Sequence, residues 1–241
     1  MTEPTPTPTP SGLLVIDKPE GITSMGVCRR VRGALVAGGA PKRIKVGHGG
    51  TLDPLATGVL VVLVGKATRL CDQIMAGPKR YIAEVDLSRT STTDDREGEQ
   101  HEVCCFRAPT IDEVRAACAR FVGDILQSPP AFSAIKVDGK RAYRLAREGS
   151  PPSLPPRPVR IDSIDVLRYE WPIASLDITC GKGTYIRSLA RDLGRSLTGG
   201  GMLRSLRRTR VGRFGIEDAR RIDRGLGPMH AEDLLPVPAD L

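Results

Sequence analysis

The chain of 241 residues is poor in aromatic side chains, in histidine and in long apolar runs. Aromatic residues make up 4% of it, with one tryptophan, and its three histidines are widely separated. No apolar run approaches the roughly 20 residues of a membrane-spanning helix. The phosphate-binding patterns G-x-x-x-x-G-K-[ST] and G-x-G-x-x-G are also missing. These absences argue against a helical membrane protein and against the common nucleotide-binding loops.

The six cysteines form no C-x-x-C pair. With so few histidines beside them, a zinc site is disfavoured, and we expect reduced thiols, no metal and no cofactor. The chain starts with a Thr-Pro repeat that has neither the basic start nor the apolar stretch of a secretory signal. We therefore predict a disordered leader over 1–11 and a cytoplasmic protein.

The positive charge is unevenly placed. The net charge is +8, and the segment 181–224 holds twelve Lys and Arg against four acids, whereas acids and bases balance over the rest of the chain. A neutral body with one basic segment is typical of a protein that binds a phosphate backbone. We therefore predict a nucleic-acid partner, with the basic segment facing it.

The most informative segment is 47–58, which reads G-H-G-G-T-L-D-P-L-A-T-G and leads into an apolar run. Glycine, threonine and proline fix the backbone of a loop rather than pack a core. Asp53 is its one acid, so any carboxylate chemistry here falls to that residue. Taken alone, an Asp-Pro pair in a glycine-rich segment is more often a structural turn.

Hydrophobic periodicity predicts strands and helices interleaved without a regular βαβ rhythm, which favours an α+β fold with a mixed sheet. A capping box at Thr110 and Glu113 and a cap at Thr184 are expected to start two of the helices. The segment 88–100 reads as a polar loop and 124–158 as an excursion from the core. The predicted strands are 12–16, 59–64, 80–87, 159–168, 173–180 and 203–214, and the predicted helices 24–36, 67–75, 111–121, 139–148 and 184–197.

Two of the four tyrosines have cationic neighbours, in Lys79-Arg80-Tyr81 and in the segment 182–187 around Tyr185. A tyrosine beside cations suits base stacking combined with phosphate contact, although a half-buried structural position explains each one equally well. His48 alone is weak evidence for a site. Arg187 alone is better explained as a residue that solvates its helix.

Several motifs occur together in a fixed order, and together they resemble the TruB family of tRNA pseudouridine synthases over roughly 12–214. These motifs are Lys18-Pro19-x-Gly21-x-Thr23-Ser24, the segment 47–58, Lys79-x-Tyr81, Gln127-x-Pro129-Pro130, Gly183-Thr184-Tyr185-Ile186-Arg187 and Leu206-Arg207-Arg208. The resemblance implies the pseudouridine synthase fold, a mixed and largely antiparallel sheet flanked by helices with a catalytic cleft. It also implies a catalytic domain over 12–216, with 124–158 as a loop insertion that clamps RNA.

The resemblance further assigns roles to single residues. It implies that Asp53 is the catalytic aspartate, aided by Tyr81 and by an Arg187 that keeps the carboxylate charged and aims it. His48 and Tyr185 are expected to contact the substrate, as are Tyr81 and Leu206 around the detached uracil.

The implied reaction converts the T-loop uridine of tRNA (position 55) into pseudouridine after that base is flipped out of its stack. Attack at C1′, attack at C6 and a glycal path all remain open, and either Tyr81 or Asp53 could remove the C5 proton. From the basic segment, Lys182, Arg207 and Arg208 are predicted to contact the RNA backbone.

The expected partner is the T-arm of tRNA, with no membrane, no guide RNA and no obligate protein partner, and the protein is expected to be a monomer. Many family members continue into a small C-terminal RNA-binding domain, and 217–241 is predicted to be a tail without one. Two alternatives stay open: an RNA-binding module whose catalytic loop is vestigial, and a guide-dependent rRNA synthase of the dyskerin type.

Overall fold

A computed structural model describes residues 9–133, 135–137, 139–222 and 226–238. The chain forms two compact units, one made of Met1–Gly77 with Arg208–Leu241 and the other of Pro78–Arg207. Most of the predicted leader, 1–8, lies outside the described residues. The first unit is thus discontinuous in sequence, and the second lies between its two parts in the chain.

The helices and strands follow one another as an α+β chain. In order they are β1 (Gly12–Lys18), α1 (Ser24–Ala37), β2 (Val46–His48), β3 (Thr57–Val64), α2 (Cys71–Ala76), β4 (Lys79–Asp86), β5 (Arg89–Ser91), β6 (Gln100–Glu102), α3 (Ile111–Ala119), β7 (Gly123–Gln127), β8 (Lys136–Val137), β9 (Lys140–Arg141), α4 (Ala142–Arg147), β10 (Arg157–Glu170), β11 (Ile173–Cys180), α5 (Ile186–Leu197), β12 (Met202–Val211), β13 (Phe214–Gly215) and β14 (Arg220–Arg221). Short 3₁₀ helices occupy Gly65–Leu70, Ile216–Asp218 and Ala231–Asp233.

The first unit is built on a mixed sheet with β1 at its centre. β1 runs antiparallel to β3, with Val15 opposite Val61, and parallel to β14, with Ile16 opposite Arg220. β2 also pairs antiparallel with β3. The short β2 therefore lies beside β3, and the loop between these two strands is the segment that contains Asp53.

Both faces of this sheet are buried, which explains the unbroken apolar run of β3. Alternate residues of a strand point to opposite faces. Leu14 and Ile16 pack in the cluster that includes α1, whereas Leu13 and Val15 pack in a second cluster on the other face. Residues 59–64 have no exposed surface. The catalytic-loop candidate is thus attached to a fully buried strand of its unit.

Helix α1 covers one face of the sheet and begins where the sequence predicts. The Thr23 hydroxyl caps it by accepting a hydrogen bond from the Gly26 N–H at 2.9 Å. Its buried side chains include Val27, Val31 and Leu35, which lie four residues apart on one face. The opposite face of the helix is exposed.

The second unit is an antiparallel sheet in the order β4-β11-β10-β7. Tyr81 of β4 lies opposite Ile178 of β11, and Ile125 of β7 lies opposite Val159 of β10. Helices α3 and α5 pack against each other, α3 also packs on β10, and β5–β6 and β8–β9 are hairpins. Together with the mixed sheet of the first unit, this confirms the predicted α+β class and the mixed, largely antiparallel strands.

The predicted tail is part of the first unit rather than an appendage. Arg220–Arg221 form β14 beside β1, and Leu13 and Leu235 exchange two backbone hydrogen bonds of 2.8 Å. The Met229 N–H donates to the Ala34 carbonyl at the end of α1. The predicted boundary at 216 is therefore not a structural one.

Five other predictions need correction. The segment 124–158 is not wholly an excursion, because β7 and the start of β10 pair with each other at its two ends. The polar segment 88–100 contains β5 and the first residue of β6. The predicted helices at 67–75 and 139–148 are replaced in part by a 3₁₀ helix and by β9, respectively. Tyr185 rather than Thr184 precedes α5, and the Thr184 hydroxyl donates to the Arg160 carbonyl instead.

Within the described residues, no helix is both long enough and apolar enough to cross a bilayer.

Two glycines of the first unit should respond oppositely to alanine. Gly58 has φ +100°, and a Cβ there would lie 2.1 Å from the Arg208 carbonyl oxygen, whereas Gly33 of α1 has no atom within 4 Å of that position. We expect Gly58→Ala to lower the free energy of unfolding by about 1–3 kcal/mol. Gly33→Ala should raise it by about 0.5–1 kcal/mol because alanine favours helix. Urea unfolding midpoints measure both, and equal stabilities would contradict the geometry.

Candidate active site

The loop between β2 and β3 presents Asp53 on a backbone that is fixed on both sides of it. The Ser24 hydroxyl donates to the Leu52 carbonyl and accepts from the Leu52 N–H, both at 2.8 Å. The Lys18 ammonium, fully buried, donates to the Pro54 carbonyl at 3.2 Å. Residues 52 and 54 are therefore held by side chains of α1 and β1, and Asp53 lies half-buried between them.

These two contacts explain the Lys18-Pro19-x-Gly21-x-Thr23-Ser24 motif. The Lys18 ammonium also donates to the Pro19 and Ile22 carbonyls, at 2.9 and 2.8 Å, so the buried charge is satisfied by backbone oxygens. The Gly21 N–H donates to the Pro54 carbonyl at 2.9 Å. The motif is thus a support for the Asp53 loop, a role that the sequence alone did not reveal.

Arg208 is the second support of this loop and not a phosphate ligand. Its side chain is 1% exposed, and its guanidinium donates to the carbonyls of Val59, Thr51 and Gly50 at 2.8, 3.3 and 3.0 Å. A buried guanidinium that is occupied by three carbonyls is not available to an RNA backbone. The prediction that Arg208 contacts RNA is therefore wrong.

His48 ends β2 at the start of the same loop and is half-buried. Burial lowers the pKa of its imidazole below the ordinary value, and the charge of Arg208 lowers it further. Its Nδ1 is buried and has no hydrogen-bond partner among the described residues. The neutral ring is therefore favoured at neutral pH, which suits contact with a base better than contact with a phosphate.

In the second unit, the predicted substrate contacts Tyr81 and Leu206 are almost buried, at 8% and 9% exposure. Tyr81 lies on β4 in the face that also carries the buried Ala83 and Val85, and Ile178 is its cross-strand neighbour. The ring is therefore held by packing in one orientation. A fixed aromatic plane of this kind can support a planar base.

Tyr185 precedes α5 and is fixed through its backbone. The Gln127 amide accepts from the Tyr185 N–H at 2.8 Å and donates to the Tyr185 carbonyl at 3.1 Å. The Arg157 guanidinium stacks 5.1 Å from the centre of the tyrosine ring. Gln127 is thus a missed positioning residue, and its place in the motif Gln127-x-Pro129-Pro130 was the signal for it.

Arg187, at the first turn of α5, is buried and has contacts that the sequence did not predict. Its guanidinium donates to the Thr93 and Phe132 carbonyls at 3.1 and 3.0 Å, and its Nε lies 3.6 Å from an Asp95 carboxylate oxygen. Both side chains of this ion pair are under 10% exposed. Asp95 lay in a segment predicted as polar loop, so its role was missed. The predicted pairing of Arg187 with Asp53, which belongs to the other unit, remains a prediction.

Part of the positive charge of the basic segment 181–224 lies in the interior and not on the surface. Arg187 and Arg208 are buried, and Arg191 is 12% exposed at its side chain and pairs with Asp94 and Asp192 at 2.8 Å each. Lys182 is exposed and Arg207 half-exposed. The predicted backbone contacts of Lys182 and Arg207 stay predictions, whereas part of the segment's charge serves the interior.

Among the described residues, no group of three or more His, Cys, Asp or Glu side chains is arranged to hold a metal ion. A cavity of about 270 Å³ in the second unit is lined by Glu84, Trp171 and Arg204, among others. Glu84 points to the opposite face of β4 from Tyr81, so this cavity is separate from the tyrosine.

Comparison with known proteins identifies the family. The model of the TruB family pseudouridylate synthase (N terminal domain) matches residues 39–186. The tRNA pseudouridine synthase B of Mycobacterium tuberculosis strain ATCC 25618 / H37Rv is 46% identical over 219 residues, 88% of this chain and 70% of that relative. The chain belongs to the TruB family. The TruB match contains His48, Asp53, Tyr81 and Tyr185, and Arg187 follows its last residue.

Further relatives agree with the TruB assignment. The tRNA pseudouridine synthase B of Gluconacetobacter diazotrophicus is 47% identical over 232 residues, which are 94% of this chain and 74% of that relative. Among solved structures, a chain of a Cbf5-Nop10-Gar1 complex superimposes with a TM-score of 0.66 at 29% identity, over 88% of this chain and 52% of that one. This TruB chain therefore spans about half the length of the solved chain.

Replacing Arg208 by lysine should destabilise the protein without weakening its ionic contacts to RNA. A lysine ammonium keeps the charge but cannot reach three carbonyls with the geometry of a guanidinium. We expect the free energy of unfolding to fall by about 2–3 kcal/mol in urea. Arg210→Lys, an exposed control on the same strand, should change it by less than about 0.5 kcal/mol. A free energy of unfolding that stays within about 0.5 kcal/mol of the wild type in Arg208→Lys would contradict the buried contacts.

The imidazole of His48 should make stability depend on pH. Because its pKa is lowered in the folded state, the unfolded chain binds the proton more readily, and stability is lost as the pH falls below about 6.5 towards the lower folded value. The wild type should therefore lose more stability than His48→Gln between about pH 7.5 and 5.5. Urea midpoints at the two pH values measure the difference, and identical losses would contradict it.

Proposed function

We propose that this chain is a tRNA pseudouridine synthase that isomerises the T-loop uridine, position 55, with Asp53 as the catalytic carboxylate. The observation that carries the proposal is the loop itself. Asp53 lies between two residues, Leu52 and Pro54, whose backbone groups are hydrogen-bonded to side chains of other elements. The chain belongs to the TruB family. Its relatives are tRNA pseudouridine synthases B.

The isomerisation breaks the N1–C1′ glycosidic bond, turns the uracil and forms a C5–C1′ bond. The proton lost from C5 is balanced by one gained at N1, so the reaction has no net redox change. An ionised carboxylate next to the ribose or the base ring assists either by covalent attack or by deprotonation. A rigid support lowers the cost of bringing that carboxylate into place, and the contacts of Ser24 and Lys18 supply such a support.

The remaining site residues are assigned to holding the flipped base and the loop that it leaves. Tyr81 offers a packed aromatic plane and Leu206 an apolar contact for the detached uracil. Tyr185, fixed by Gln127, offers a ring at the start of α5. The neutral ring of His48 is assigned to the unstacked loop, where a charged imidazole is not needed.

The proposed substrate contact is the T-arm, with Lys182 and Arg207 on its backbone and the segment 124–158 closing over it. We propose that the protein acts as a monomer on bare tRNA in the cytoplasm, without guide RNA or obligate protein partners. The structural similarity to a protein solved in a Cbf5-Nop10-Gar1 complex makes the guide-dependent alternative worth testing. Pseudouridine mapping on a tRNA transcript incubated with the purified protein tests both. Product at the T-loop uridine supports the proposal, and product only with a guide RNA contradicts it.

Asp53→Asn should abolish product formation while tRNA binding persists. The substitution keeps the shape of the side chain but removes its charge, so we expect the rate to fall at least about 1,000-fold. Asp72→Asn, at an exposed aspartate of α2 in the same unit, is the matched control and should keep the wild-type rate. Single-turnover pseudouridine assays measure both. Turnover that survives in Asp53→Asn would contradict the assignment.

A further inference from the structure

The first unit carries a second basic surface outside the C-terminal segment. Residues 21–52 contain six Lys and Arg and no Asp or Glu. We call these six residues the α1 basic strip, and all of them are exposed: Arg29, Arg30, Arg32, Lys42, Arg43 and Lys45. Acidic residues elsewhere offset these six charges when the net charge outside 181–224 is summed. The excess is therefore seen only when the charge of 21–52 is counted separately.

The helix directs three of these charges to solvent. Val27, Val31 and Leu35 of α1 are buried in the core cluster of the first unit. At 100° per residue, Arg29 lies opposite to those three residues, and Arg30 and Arg32 lie on the two flanks of the helix. The strip is therefore a fixed face of a packed helix. The loop that follows the helix adds the other three charges.

The strip is also unneutralised. None of its six residues makes an ion pair with a carboxylate in the part of the chain that the structure describes. Exposed arginines of the second unit behave differently, since Arg160 pairs with Asp124 and Asp162, and Arg168 with Glu170. An ordinary solvated surface mixes both signs of charge. A strip of one sign without acids is typical of a surface that binds polyanions.

The segments on either side of the strip in sequence contact or precede the Asp53 loop. Ser24, the first residue of α1, makes the two hydrogen bonds to Leu52, and Lys45 directly precedes β2, which ends at His48. Helix α1 has 14 residues and is therefore about 20 Å long. The helical charges of the strip, Arg29 to Arg32, therefore lie within about one turn of each other and about one to two turns from Ser24.

We propose that the α1 basic strip binds the phosphate backbone of the substrate tRNA outside the T-arm. This rests on the proposed function, because it takes the flipped uridine of the T-loop to be at Asp53. A tRNA whose T-loop is bound there carries further helical stems with regularly spaced phosphates, and the strip offers unpaired cations at a fixed distance from that point. Guanidinium groups bind phosphate oxygens through charge-assisted hydrogen bonds.

The test compares charge reversal on the strip with charge reversal elsewhere. The variant Arg29→Glu/Arg32→Glu is matched by Arg160→Glu/Arg168→Glu, which makes the same change of charge at exposed, acid-paired positions of the second unit. Dissociation constants are measured by fluorescence anisotropy at several salt concentrations for a full tRNA transcript and for an isolated T-arm hairpin. Unchanged urea midpoints show that each variant is folded.

The strip variant is expected to bind the full tRNA at least about 10-fold more weakly, with the slope of log K against log salt reduced by about two. Its affinity for the T-arm hairpin should change less than about 2-fold, and Arg29→Lys/Arg32→Lys should retain most of the tRNA affinity because point charges suffice for phosphates. An equal loss on the hairpin, or an equal loss in the second-unit control, overturns the proposal.

Binding and catalysis give separate answers. If the wild type makes no pseudouridine but the strip variant still loses tRNA affinity selectively, the proposed function fails and the strip assignment stands. If the wild type makes pseudouridine and the strip variant binds full tRNA as tightly as the wild type does, the strip assignment fails alone.

Discussion

One guanidinium holds the backbone of the candidate catalytic loop in place. The loop between β2 and β3 buries Leu52, Leu55 and Ala56, and side chains from other elements bind the carbonyl groups of its irregular backbone. Arg208 provides two such bonds from inside the unit, to Gly50 and Thr51, and a third to Val59 of β3. The missing side chain at Gly58 lets the loop approach the Arg208 backbone. The position of Asp53 follows from this contact and from Ser24 and Lys18.

In the second unit, arginines of α5 also donate hydrogen bonds to backbone carbonyls of irregular segments. Arg187 donates to the Thr93 and Phe132 carbonyls, and Arg191 donates to the Ser128 carbonyl. A buried arginine satisfied by carbonyls and by one carboxylate tolerates neither lysine nor a neutral residue well, because both leave polar groups without partners. Several arginines that look like RNA contacts in the sequence are thus structural supports of irregular segments. This distinction separates Arg208 from the exposed arginines of α1.

Much of the fold and the position of the candidate carboxylate could be predicted from the sequence. The apolar run of β3 and the capping box at Thr110 were clear signals, because strand burial and helix capping are local properties. No local pattern predicted that the Arg208 side chain points to the interior. Within β12, position 208 lies on the same face as the buried position 206, which only the two-residue period of the strand reveals. The role of Asp95 depends on contacts with α5, some 90 residues later in the chain, which no local pattern encodes. The α1 basic strip escaped notice for another reason. The net charge outside 181–224 is zero, because acidic residues elsewhere offset the six positive charges of the strip.

The discontinuity of the first unit has a consequence for how the protein is made on the ribosome. The second unit is continuous in sequence, so its antiparallel sheet can form as soon as its own residues have left the exit tunnel. The first unit, with the Asp53 loop, has to wait for Arg208 and for the strand pairs that β14 and Leu235 make with β1. Until then the apolar side chains on both faces of β1 and β3 lack the part of their packing that the C-terminal residues of this unit provide. A segment that is synthesised after the second unit thus completes strands that are synthesised before it.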